Sequence, residues 1–159
     1  MQPLKQVLIH DNEYMVRKTF AMFAQETRLA IVDETSDLSL AKENWPKKSF
    51  DAIIMGFYDW SVEYHLIELV RANMTKSAPD IPIITLMPNI TADQIHLLKT
   101  LEVSEIMLKP SRIKSIQSAL KTIWSMHLWW LAPMRQIIPK GLLLSHLAVG
   151  PKCCWSMHA

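Results

Sequence analysis

Several things are scarce in this chain, and each scarcity excludes something. There are two cysteines among 159 residues, Cys153 and Cys154, and they are adjacent. Neighbouring cysteines rarely bridge each other, so no disulfide framework is expected and the setting reads as reducing and cytoplasmic. Long hydrophobic runs are missing. The apolar C-terminal stretch is broken by Pro133, Arg135, Pro139 and Lys140, and nothing approaches the roughly 20 apolar residues that a spanning helix needs. The opening "MQPLKQVLIHDNE" has a short apolar run followed by an acid, which is not the pattern of a signal peptide. Acidic residues stop at Glu105. Residues 1–124 carry 14 − 15 = −1, whereas residues 125–159 hold only Arg135, Lys140 and Lys152, for +3. The body therefore lacks the basic signature of a nucleic-acid binder. Glycine is the third scarcity. Of three, two lie in the last 19 residues, and the third, Gly56, closes the apolar run "FDAIIMG". A residue without a side chain thus stands at the exit of a core strand, where α/β proteins usually place their chemistry.

What remains is ordinary for a globular protein: half hydrophobic and one-fifth charged. The length suits one domain with a short appendage, with enough chain to bury a core without disulfides or metal. No internal repeat and no low-complexity segment is present. The composition shift near Ser125 marks the one boundary, giving a domain over 4–124 and an apolar, acid-free tail over 125–159.

Along the domain, short apolar runs alternate with helical periodicity. "QVLIH" (6–10), "LAIVD" (29–33), "DAIIM" (51–55), "IPIITLM" (81–87) and "EIMLK" (105–109) read as strands. Between them, Val16, Phe20 and Phe23 mark a helix over 13–26 with Asp11 or Asn12 as its cap. A second helix, capped by Ser36 or Asp37, carries Leu38, Leu40 and Ala41 and stops at Pro46. A third spans 61–74 with Val62, Leu66, Leu69 and Val70 on one face, and a fourth spans 91–101 with Ile95 and Leu98 inward. After Ser111, Ile113, Ile116, Leu120 and Ile123 recur at helical spacing as a fifth. The strands are continuously apolar, as in a parallel sheet covered on both faces. Right-handed crossovers leave few topologies, and the expectation is a doubly wound, five-stranded, flavodoxin-like sheet in the order 2-1-3-4-5. Its functional end gathers His10-Asp11-Asn12-Glu13, Gly56-Phe57-Tyr58-Asp59, Met87-Pro88 and Lys109-Pro110.

In their order and spacing, "VLIHDNE", "FDAIIMG", "IPIITLM" and "SEIMLKP" resemble the receiver domain of two-component response regulators, the CheY-like family, over residues 4–124. The resemblance implies a signalling domain rather than an enzyme. It places Asp11 on an acidic metal position and Asn12 where a second carboxylate is commonest. Lys109 and Pro110 match the lysine that pairs with the phosphoryl group and the proline after it. Three other positions depart from the pattern: Gly56 stands on the phosphoacceptor, Met87 on the reporting Thr or Ser, and Ile106 on the aromatic switch position.

Phosphoryl transfer to such a domain needs a carboxylate nucleophile, and glycine has none. Mg²⁺ wants several oxygen ligands with enough negative charge, so Asp11 would offer at best a weak metal site and no cofactor is expected. The reading is an atypical receiver in a two-component phosphorelay that works by phosphorylation-independent protein–protein contact. The expected surface is the face of helix 4, strand 5 and helix 5, which engages a signalling partner or a second copy. Arg112, Lys114 and Lys121 would supply its contacts, and Ile113, Ile116 and Ile123 the core face of the last helix.

Two alternatives stand beside this reading. One is a phosphoaccepting regulator with Asp59 as an unconventional acceptor, although in-line transfer tolerates displacement poorly. The other is a regulator that binds nucleic acid through its tail. Some residues also carry structural expectations. Asp11 can cap a helix or pair with Lys109 across the strand ends, and His10 is expected to be partly buried and hydrogen-bonded. His146, Cys153, Cys154 and His158 match no zinc pattern. The tail is expected to pack its Leu and Trp residues on the domain or on a partner.

Overall fold

The computed structural model describes residues 4–28 and 30–121. The expectations for residues 125–159, and for Ile123, lie outside the described residues. Five strands, β1 (Lys5–His10), β2 (Ala30–Thr35), β3 (Ala52–Gly56), β4 (Ile83–Met87) and β5 (Glu105–Leu108), form one sheet in the order β2-β1-β3-β4-β5. All four pairings are parallel. Each crossover carries a helix: α1 (Tyr14–Thr27), α2 (Leu38–Asn44), α3 (Trp60–Arg71) and α4 (Ala92–Thr100). A fifth helix, α5, runs from residue 113 to the last described residue, 121. Among the described residues, no helix is long and apolar enough to cross a membrane.

Strand alternation sorts the core. Leu8, Ile53, Met55, Ile83 and Met87 share one cluster with Leu66, Ile67 and Val70 of α3, Leu98 of α4 and Trp45. Residues of opposite parity, among them Val7, Ile9, Ile54 and Leu86, are equally buried on the other side, as are Phe20 of α1 and Ile116 and Leu120 of α5. Ile53, Ile67, Ile83 and Leu98 are wholly shielded, and each such side chain stabilises the fold by about 1.5–3 kcal/mol relative to exposure. Helix α4 is the most lightly anchored, since Leu98 is its one buried residue and Ile95 is half-buried. A capping box between Thr91 and Gln94 fixes its start instead.

Local chemistry sets the other boundaries. Asp37 accepts from Ser39 N at 2.7 Å and caps α2, leaving Ser36 out. Pro46 does not end the chain's turning. It sits inside a 3₁₀ turn, Trp45–Lys47, because its fixed φ and missing N–H suit a first turn. Leu40 faces solvent. Glu13 holds the N-cap position of α1 with no side-chain cap bond, so neither Asp11 nor Asn12 is the N-cap. Asp11 nevertheless accepts from Glu13 N at 2.8 Å.

His10 departs from expectation. It is 1% exposed, and neither ring nitrogen makes a hydrogen bond of good geometry among the described residues, although the Thr35 backbone acts on the ring. Desolvation lowers its pKa below the ordinary 6.5, with Asp11 and the Thr35 backbone opposing. A base whose folded pKa is lowered contributes its stability above the unfolded pKa, and that stability is lost as pH falls. The unfolding midpoint should therefore drop as pH decreases from 6.5, and His10→Leu should flatten that drop. An unchanged slope in the variant, measured by thermal melts across pH, would remove His10 as its source.

Candidate functional site

The strand order reverses between β1 and β3, so the crevice at the carboxyl ends of β1, β3 and β5 is the natural place for a site. Asp11 directly follows β1, Gly56 is the last residue of β3, and Lys109 directly follows β5. The Lys109 amide donates to Met87 O at 2.7 Å, which fixes that residue beside the end of β4, and a cis peptide joins it to Pro110.

Asp11 is fully buried. Lys109 Nζ lies 2.7 Å from its Oδ2, with only 11% of the lysine side chain exposed. The oxygen has no hydrogen bond of good angle, but the ammonium contact satisfies its charge. Asp11 Oδ1 accepts from Glu13 N and, at 2.5 Å, from the Tyr58 hydroxyl. Lys109 Nζ also donates to Glu13 Oε1 at 3.0 Å and to the Tyr58 hydroxyl at 2.5 Å, and it lies 4.6 Å from the centre of the Tyr58 ring. One ammonium is thus shared by two carboxylates and a phenol. Burial alone would lower the lysine pKa, but the bonds from Asp11, Tyr58 and Glu13 outweigh it and raise it. Tyr58 is pushed up to about 12 by burial and by its bond to Asp11, with Lys109 pulling the other way. The phenol therefore stays neutral and donates its proton to the carboxylate.

Gly56 makes this arrangement fit. A Cβ there would stand 2.3 Å from Asp11 Oδ2 and 2.8 Å from its Cγ. Its φ is not positive, so space rather than backbone conformation demands glycine. The place a side chain would take at the end of β3 belongs to the Asp11 carboxylate.

The loop after Gly56 is held from below. Glu63, fully buried on the first turn of α3, accepts from Tyr58 N through one oxygen and from Asp59 N through the other, both at 2.9 Å. Desolvation raises the Glu63 pKa, and those backbone bonds oppose the rise. Asp59 caps α3, its Oδ1 accepting from Ser61 N at 3.2 Å and from Ser61 Oγ at 2.7 Å. Its carboxylate is held below the usual range chiefly by the Ser61 hydroxyl.

The other expected positions fall as follows. Asn12 is exposed and takes no hydrogen bond in the cluster. Met87 is buried at the end of β4, and Ile106 packs partly buried against the same core. Arg112, Lys114 and Lys121 are exposed. Ile113 does not serve the core face: it is 63% exposed, and Ala119 joins Ile116 and Leu120 inside instead. Pro110 and Ile113 line a cleft of about 420 Å³ beside α1, with Met15 and Phe20 across from them. Sequence reasoning set Tyr58 and Glu13 at the functional end, two residues past Gly56 and Asp11, but gave neither a role, and it missed Glu63.

A resident Mg²⁺, which the resemblance implies, does not fit these residues. Both oxygens of Asp11 are engaged and Lys109 already supplies the cation between Asp11 and Glu13. Among the described residues, no group of three or more His, Cys, Asp or Glu is placed to hold a metal.

Gly56→Ala should push Asp11 off Lys109 and cost about 1–3 kcal/mol, the range for overpacking. In an Asp11→Ala background the same substitution should cost much less, since the remaining close neighbour is Tyr58 Cε2 at 3.2 Å. Additive costs in denaturant titrations of the four proteins would contradict the contact.

No protein-family model matches the chain, and no curated protein matches it in sequence. Solved structures do match in fold. A signal receiver domain of a two-component histidine kinase from Clostridium thermocellum superposes with a TM-score of 0.67 at 17% identity, covering 75% of this chain and 96% of that one. A response regulator from Thermotoga maritima gives 0.64 at 18%, covering 77% and 99%. An orphan response regulator of H. pylori gives 0.63 at 12%, covering 76% and 98%. The parallel order β2-β1-β3-β4-β5, with helices on both faces, is the same flavodoxin-like plan, and the chain has the fold of a CheY-like response-regulator receiver domain.

Proposed function

We propose that this domain is a receiver-type module of two-component, phosphorelay signalling that takes no phosphoryl group and acts through protein–protein contact. The carrying observation is the 2.3 Å approach of Asp11 Oδ2 to the place where a Gly56 side chain would begin. The nucleophile's address is occupied by another carboxylate, and that carboxylate is engaged on both oxygens. Asp11 Oδ2 lies 2.7 Å from Lys109 Nζ, so attack or metal binding by this carboxylate would have to break a buried ion pair. Asp59, the other candidate acceptor, is committed to capping α3.

The working surface in this reading is the face of α4, β5 and α5. Leu97 and Leu108 are exposed there, and Arg112, Lys114 and Lys121 are exposed on or just before α5. Apolar anchors beside basic side chains suit a protein partner or a second copy of the chain.

Incubation with acetyl phosphate and Mg²⁺ tests the proposal directly. The expected result, read by intact mass, is no alkali-labile acyl phosphate on the wild-type chain. None is expected on Gly56→Asp either, since the new side chain meets Asp11. A labile adduct on the wild type that is abolished by Asp59→Asn would overturn the reading in favour of an unconventional acceptor. Salt-dependent DNA binding that is lost on deletion after Trp124 would favour a regulator working through its tail instead.

A further inference from the structure

The cluster contains one member that charge pairing does not require. Asp11 and Lys109 would neutralise each other without Tyr58. Yet its hydroxyl donates to Asp11 Oδ1 and accepts from Lys109 Nζ, both at 2.5 Å, and lies 3.4 Å from Glu13 Oε1. The backbone of the same residue is tethered independently, since Tyr58 N and Asp59 N both donate to the buried Glu63 carboxylate. Three loops therefore meet at one phenol. The β3–α3 loop supplies it, the β1–α1 loop supplies Asp11 and Glu13, and the segment between β5 and α5 supplies Lys109.

We infer that Tyr58 is a built-in latch, an intramolecular occupant of the pocket that couples the position of the β3–α3 loop to the segment leading into α5, with Glu63 as its positioning residue. The inference rests on the reading of the pocket as one that holds neither metal nor phosphoryl group. A neutral phenol that both donates and accepts is suited to the place, because it satisfies a carboxylate and an ammonium together without adding charge to a buried site. Tyr58 is 42% exposed, so the latch has an outer face that a partner on the β3–α3 loop can reach. Coupling between two sites is reciprocal. Whatever moves Tyr58 loosens Lys109, and whatever moves Lys109 loosens Tyr58.

Residue-resolved hydrogen exchange on the full chain reads this coupling. The Lys109 amide donates to Met87 O and the Glu13 amide to Asp11 Oδ1, so both report on the far ends of the latch. Tyr58→Phe keeps the ring and removes the hydroxyl. Exchange at Lys109 and Glu13 should accelerate about tenfold or more, the factor expected from losing a hydrogen bond to a charged group. The Ile53 amide, bonded to Pro82 O in the core, should not change. Glu63→Gln, which leaves Tyr58 intact, should reproduce the effect at Lys109. Lys109→Met should accelerate the Tyr58 and Asp59 amides by a comparable factor.

Acceleration confined to Tyr58 and its neighbours would overturn the latch and make the hydroxyl a passive contact. Equal acceleration everywhere, Ile53 included, would overturn it too, since the hydroxyl would then support global stability alone. Either result leaves the phosphate-independent reading standing. That reading fails separately, by the appearance of an alkali-labile phosphate on the wild-type chain.

Discussion

A carboxylate with no access to solvent is the constraint around which the functional end of this domain is arranged. Asp11 is 0% exposed. An isolated buried charge costs several kcal/mol even after relaxation, and removing the partner of a buried pair typically costs about 3–5 kcal/mol. Asp11 is therefore tolerable only with its full complement of partners: the Lys109 ammonium, the Tyr58 phenol and the Glu13 amide. Each comes from a different stretch of chain or a different turn of it. The demand to satisfy one carboxylate thus fixes the conformation of three loops at the ends of β1, β3 and β5. The same demand explains Gly56. The carboxylate needs room to face Lys109, and any side chain at the end of β3 would take it. The bare end of β3 and the buried ion pair are two sides of one packing solution.

Glu63 repeats the logic one layer down. It too is wholly buried, and desolvation raises its pKa. It is compensated by two backbone amides rather than by a cation. That choice has a mechanical consequence. A cation would have been a flexible side chain, whereas consecutive amides are rigid, and gripping both of them defines the path of the loop that carries Tyr58. Two buried acids, one satisfied by a lysine and a phenol and the other by main chain, thus bracket the β3–α3 loop from above and below.

The scaffold was legible in the sequence because its signals are local. Continuous runs such as Ile53-Ile54-Met55 and Ile83-Ile84 dictate buried parallel strands, and the spacing of Leu66 and Val70 dictates which face of α3 is covered. Boundaries shifted by up to three residues, as at the end of α3, and Pro46 entered a 3₁₀ turn. The site was legible only in part. Asp11, Gly56 and Lys109 stand at strand ends, so topology alone brings them together. Tyr58 and Glu63 are different. A tyrosine is of intermediate burial and an acid in the first turn of a helix usually faces water, and nothing in the local pattern says that one reaches across the crevice while the other turns inward. Ile113 misled for the opposite reason: its helical spacing with Ile116 and Leu120 is real, yet it lies at the start of α5, where the helix has not reached the core and the side chain opens on a cleft.

The remaining departures from the receiver pattern belong to the same physical account. A domain that switches needs two packings close in free energy and a ligand that prefers one of them. Met87 and Ile106, which the proposed reading sets at the reporting-hydroxyl and aromatic-switch positions, both place apolar side chains against the core. The pocket, meanwhile, has its charge and hydrogen-bonding capacity filled from within by Lys109, Tyr58 and Glu13. Under the proposed reading, these substitutions all deepen one basin at the expense of the other, and a partner would meet the same α4, β5 and α5 face whatever the phosphorylation state of the pathway. Control then has to come from outside the pocket, by competition for that face or by a partner that draws on the exposed side of Tyr58.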